Sequence, residues 1–125
     1  MGEITMLKKL LFIVTLALIP CISHAAEQIP SNKVAFHVGE TLMVCGKVAA
    51  VSDLNKRVVI NLGKDYPNED IGLLIWNTDK AGFEQRFGNL SNLKGYQVCA
   101  TGTIEVYKDH PQMKLSNSMM LRLMK

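Results

Sequence analysis

The sequence of 125 residues is short of several things, and each shortage removes a class of protein. Its longest apolar run, residues 10–19, falls well below the roughly 20 residues that a membrane-spanning helix needs. Cysteine is scarce, with only Cys21, Cys45 and Cys99. None of these lies in a Cys-x-x-Cys pair, which argues against a redox-active dithiol. Aromatic residues make up 6% of the chain, which limits the number of stacking platforms that a ligand could find. A charge of one sign is also missing. The formal net charge is +3, part of it from Lys8 and Lys9, well short of the basic excess of an electrostatic nucleic-acid binder. The chain has three arginines and lacks a serine or cysteine with a plausible base partner, so catalysis is not expected, nor are a cofactor or a resident metal.

What is present begins with an export signal. Lys8 and Lys9 precede the apolar run, Pro20 follows it, and Ser23-His24-Ala25 offers small residues where a signal peptidase reads. Residues 1–25 therefore read as a secretory signal peptide, whether translation starts at Met1 or at Met6. Pro20 is a poor fit to the small residue needed before a lipidated Cys21, so no stable membrane anchor is expected. The product should be exported, either to the periplasm or to the outside of the cell. Cleavage leaves Cys45 and Cys99, and an even count in an oxidising compartment predicts a disulfide. Closing so long a loop contributes about 4 kcal/mol in the chain-entropy model.

The remaining hundred or so residues suffice for one core. Residues 26–39 read as a polar arm, with His37 as a surface or packing residue, and residues 40–125 as the folded domain. In Thr41–Val51 and Tyr96–Tyr107 every second residue is apolar or small, the period of a half-buried strand. Each stretch carries its cysteine on the opposite parity. One antiparallel register would therefore join Cys45 to Cys99 outside the core while Leu42, Val44, Val98 and Ala100 point inward. Arg57–Leu62 and Ile71–Trp76 read as the second and third strands, separated by the Gly, Pro and Asn of residues 63–70. Asn77–Gly88 changes period: Asn77 or Thr78 can cap a short helix, Phe83 and Phe87 share a face, and Gly88 can stop it. Gln112–Leu115, resuming at Met119–Leu123, gives a fifth strand. Met113, Met119, Met120 and Met124 are read as adaptable filler and not as a copper site. The order predicts an all-β fold, a five-stranded OB-fold barrel with one short helix between strands 3 and 4.

The stretches VGETLMVCGKVAAV, VVINLGKDYPNEDIGLLIW and LKGYQVCATGTIEVYKDHPQMKL carry Gly46 and Val48, then Asn61, Gly63, Tyr66 and Pro67, then Gly102, Ile104, Tyr107 and Pro111. In that pattern the chain resembles small bacterial OB-fold domains of the nucleic-acid-binding, transfer-RNA-anticodon-like kind. Where those domains carry an aromatic residue after Tyr-Pro, this chain has Ile71 and Gly72. The resemblance implies a barrel whose second and third strands and adjacent loops hold a ligand.

Single-stranded DNA or RNA would need aromatic platforms beside a basic groove. Tyr66, Trp76 and Tyr107 are the candidate platforms, with Lys56, Arg57, Lys64 and Lys108 on neighbouring loops. An equally open alternative is a module that docks an envelope or secreted protein through the barrel face or an edge strand. A metal-dependent nuclease, with Asp65, Glu69, Asp70 and Arg57 in its site, is the least favoured reading.

Overall fold

The computed structural model describes residues 27–124, so the signal peptide and Cys21 lie outside the described residues. The chain runs β1 (Gln28–Pro30), β2 (Thr41–Asp53), β3 (Arg57–Leu62), β4 (Ile71–Trp76), α1 (Asn77–Phe87), β5 (Gln97–Thr103), β6 (Glu105–Tyr107), β7 (His110–Lys114) and β8 (Leu121–Leu123). Short 3-10 turns at Ser31–Phe36, Leu90–Leu93 and Ser118–Met120 connect them. The hydrogen-bonded order is β6-β7-β4-β3-β2-β5-β8, with β1 added in parallel to β2. The described sheet is thus seven strands on an open path with β1 as an eighth beside β2, where five strands in a closed ring were expected.

The extra strands have simple origins. The expected fourth strand is divided at Ile104, whose buried side chain and backbone bonds to Gly39 and Glu40 take it out of the ladder with its neighbours. Its two parts, β5 and β6, pair with β2 and β7 respectively. The fifth strand begins at His110, two residues early, because Lys108 and Asp109 close a two-residue hairpin from β6. Its expected resumption is the separate β8, antiparallel to β5. The segment read as a polar arm also joins the sheet: Gln28, Ile29 and Pro30 pair with Met43, Val44 and Cys45, and Ile29, Ser31 and Val34 are buried.

The 13-residue β2 organises the rest by serving two partners. Its first half, Thr41–Lys47, pairs with β5, and its second half pairs with β3 across a register irregularity between Val48 and Ala50. Such an irregularity bends a strand and lets one sheet curl. Gly46 stands at this changeover because a Cβ there would lie 2.6 Å from the Ser31 hydroxyl. The core contains Leu42, Val44, Ile60, Leu62, Ile71, Leu73, Ile75, Val98, Met113 and Leu121, all on the inward parity of their strands. Phe83 of α1 enters the same core and Phe87 packs partly against it. The helix is not capped by Asn77 or Thr78. Trp76 holds the cap position without a side-chain bond, while the Asn77 amide donates to the Asn55 carbonyl and steadies the β2–β3 turn. Lys80 on α1 reaches Asp53 at 2.9 Å, and that hydrogen bond raises its pKa above the ordinary lysine value.

Cys45 and Cys99 are register partners on β2 and β5, 4.1 Å apart at Cα, and form a disulfide. The bridge is not at the surface as the strand parity suggested. Both sulfur-bearing residues are buried, because β1 and β8 flank the pair and place Pro30 beside Cys45 and Arg122 beside Cys99. No described helix is long and apolar enough to cross a membrane.

Candidate ligand groove on the β3–β4 face

The outward parity of β3 and β4 sets Arg57 opposite Trp76, Val59 opposite Leu74, and Asn61 opposite Gly72. β7 extends this face by laying Gln112 beside Gly72. Together these residues, Trp76 excepted, floor an open groove of about 480 Å³. Ser52 and Leu54 close it at the β2 end, and Tyr66, Glu69, Tyr107, Lys108, His110 and Pro111 wall the other side. Leu74 is buried although it points away from the core, and Gly72 leaves a dent in the floor next to the Asn61 side chain.

The walls come from two turns. Residues 63–70 contain a cis peptide bond at Tyr66-Pro67, and the Asp65 carboxylate accepts the Tyr66 N–H at 2.8 Å. The β6–β7 hairpin turns on Lys108 and Asp109, both in the left-handed region at φ 49° and 66°. A two-residue hairpin needs this backbone at both central positions, and Asn or Gly takes it at less cost than Lys. The two turns meet through side chains: the Tyr66 ring stacks on the His110 ring at 5.0 Å with 24° between planes. At the edge of its ring, His110 Nδ1–H donates to Glu69 Oε1 at 2.5 Å, and the Glu69 side chain is only 3% exposed.

Of the seven residues singled out from the sequence as ligand-binding candidates, Arg57, Tyr66, Tyr107 and Lys108 line this groove. Lys56, Lys64 and Trp76 do not, although Trp76 adjoins it through the Arg57 guanidinium, 5.9 Å from its ring. The Lys108 ammonium lies 5.4 Å from the Tyr107 ring in the same manner. Such pairs hold a cation beside a flat apolar surface. Tyr66 and Tyr107 are 67% and 57% exposed, so both present a free face to solvent.

The three carboxylates considered as metal ligands do separate work. Asp65 caps a backbone N–H, Glu69 binds His110, and Asp70 accepts a hydrogen bond from the Ser31 hydroxyl at 2.7 Å. Among the described residues no three His, Cys, Asp or Glu side chains converge as a metal would require. The pairing of Glu69 with His110 and the place of Gln112 were not identified from the sequence, and Asn61 stood there only as part of the family pattern. One signal for the floor was present in IGLLIW, whose apolar residues occupy both parities of a single strand, so its outer face also shuns water.

No family model and no curated protein matches the chain. Solved structures do match it in shape. An OBody, AM1L10, bound to hen egg-white lysozyme aligns with a TM-score of 0.57 at 12% identity over 83% of this chain and 98% of its own. The Stn1–Ten1 complex of S. pombe aligns at 0.51 with 15% identity, over 68% of this chain and 58% of the matched one. Asparaginyl-tRNA synthetase from Pyrococcus horikoshii aligns at 0.51 with 10% identity, over 81% of this chain and 24% of the enzyme. This chain therefore spans about a quarter of the synthetase's length. Identities this low speak to fold, and the class they define is an OB-like β-fold.

Proposed function

We propose that the protein is an exported, non-catalytic binding module that holds single-stranded nucleic acid across its β3–β4 face. The observation that carries this reading is the groove itself, with the exposed rings of Tyr66 and Tyr107 beside Arg57 and Lys108. Stacked bases contribute about 1–3 kcal/mol each on such rings, and the cations answer the phosphates between them. The carboxylates near this mouth are no strong obstacle, since Glu69 and Asp70 are each engaged by a side chain of the protein. In this reading the sheet is an OB barrel of β2, β3, β4, β7 and the β5–β6 pair, closed through the chain at Ile104. The face used is the one on which OB-folds hold oligonucleotides. Export is supported by the buried Cys45–Cys99 bridge, which belongs to an oxidising compartment.

The test is a titration of fluorescently labelled 12-nucleotide single-stranded DNA and RNA, followed by anisotropy at several salt concentrations. With Arg57 and Lys108 as the phosphate-facing cations, log affinity should fall against log salt with a slope of about −1.4. Absence of binding at low salt would remove the reading. A second reading, docking of an envelope or secreted protein, draws on the OBody relative, a match of this shape that is itself bound to a protein. Stoichiometric recovery of one partner from an envelope extract, together with no oligonucleotide binding, would favour it.

A further inference from the structure

Two polar residues are buried among the described residues, Ser31 and Asn61. Ser31 is engaged, its hydroxyl donating to Asp70 at 2.7 Å. Asn61 is not. It is only 4% exposed and lines the groove, yet its side-chain amide has no hydrogen-bond partner among the described residues. Its polar atoms are not sealed from solvent either, since the one side-chain atom there both sealed and unpaired is Glu69 Oε2. The Asn61 amide therefore opens into the groove with its donors and its acceptor free. Burying an amide without partners is costly, and a β-branched residue would suit this position of β3 better.

The register says what surrounds it. Asn61 on β3 pairs with Gly72 on β4, and Gly72 pairs with Gln112 on β7, so the three form one row across the floor. Strand spacing puts the outer two about 10 Å apart at the backbone. Between them Gly72 contributes no side chain. A Cβ there would come within 3.2 Å of Val59 Cγ1 and 3.4 Å of Asn61 Oδ1, and beyond its chain neighbours nothing else lies within 4 Å. The row thus reads amide, gap, amide. Each amide carries an NH2 donor and a C=O acceptor and no charge. A flat ring with donors and acceptors along its edge, entering edge-first over Gly72, meets matching partners. Unpaired nucleobases carry that edge, and single strands are read by hydrogen bonds to it.

We infer that Asn61, Gly72 and Gln112 form a base-edge slot, in which an unpaired nucleobase is held by neutral hydrogen bonds, apart from any stacking on the exposed tyrosines. This deepens the nucleic-acid reading of the groove and rests on it. The slot makes binding depend on a polar base edge and does not choose among the four bases, since each offers a donor beside an acceptor. A base already paired in a duplex has no such edge to give.

2,4-Difluorotoluene has the shape of thymine without its hydrogen-bonding edge, and it is more apolar. Oligo(dT) of 12 nucleotides and the same oligomer with every thymine so replaced are titrated by anisotropy. The wild-type protein should bind the replaced oligomer about tenfold more weakly, the worth of one or two neutral hydrogen bonds. A groove that only stacks bases would bind it equally or more tightly, which would overturn the slot while leaving the groove as a binding site. Asn61→Leu makes the second test, because it keeps the volume and removes the amide. Its thermal transition should stay at or above the wild-type value while its affinity for oligo(dT) falls about fivefold. Its affinity for the replaced oligomer should be unchanged. Undiminished oligo(dT) binding in that variant, or a thermal transition several degrees lower, would make Asn61 a structural residue and overturn its role. Failure of every oligonucleotide to bind would overturn the site reading and this inference with it.

Discussion

The face carrying Cys45 and Cys99 and the face carrying Val59 and His110 both lie on the outward parity of their strands, yet they end in opposite states. At the cysteines, β1 and β8 flank the pair, the sulfurs are bonded to each other, and both residues are buried. At the groove the described strands leave the outer face uncovered. Val59 stays partly open, Tyr66 and Tyr107 stand free, and a carboxylate oxygen is left without a donor. Strand parity alone therefore decides which side chains leave the core. Whether they then become a second core or a receptive surface is decided by what the connections bring over them.

That contrast can be broken most forcefully at the bridge. Cys45→Ala/Cys99→Ala should lower unfolding free energy by about 4 kcal/mol, read by denaturant titration, while the folded fraction keeps its groove. A loss of oligonucleotide binding in proportion to stability would merge the two regions into one. Next in size is Gly46→Ala, whose new methyl would press on Ser31 and disturb the hydrogen bond to Asp70, at about 1–3 kcal/mol of stability in the same titration.

How far each region could be read beforehand follows the same division. The bounds of β3 and β4, the start of α1 and the Cys45–Cys99 register are local facts of period and parity, and the sequence displays them. β1 was missed because three residues containing Pro30 make sense as a strand only once β2 is beside them. The Glu69–His110 pair was missed for a related reason: the two lie 41 positions apart and meet only because β4 and β7 run parallel as neighbours. Burial of the disulfide likewise depends on β1 and β8, elements too short to carry a signal of their own.

Smaller substitutions sharpen the contrast from the groove side. Tyr66→Ala should weaken oligonucleotide binding by about 1–3 kcal/mol in the anisotropy assay and leave the thermal transition nearly where it was, since the ring is mostly exposed. A large drop in melting temperature instead would make Tyr66 part of the structural core. The mildest case is Lys108→Asn. Relief of the left-handed backbone should raise stability by about 0.5–1 kcal/mol, while loss of the cation should flatten the salt slope by about 0.7. A turn that becomes steadier as it becomes a poorer ligand holder would mark Lys108 as retained for binding.

Trp76 is the sole tryptophan of the chain, and it sits partly exposed at the end of β4 with the groove-lining Arg57 guanidinium near its ring. Its emission therefore comes from one known place, free of overlap from any other indole. A ligand that draws Arg57 toward a phosphate changes the polar surroundings of that indole, so occupancy becomes visible as a change in intrinsic fluorescence. The molecule thus carries its own unlabelled optical gauge at one end of the groove.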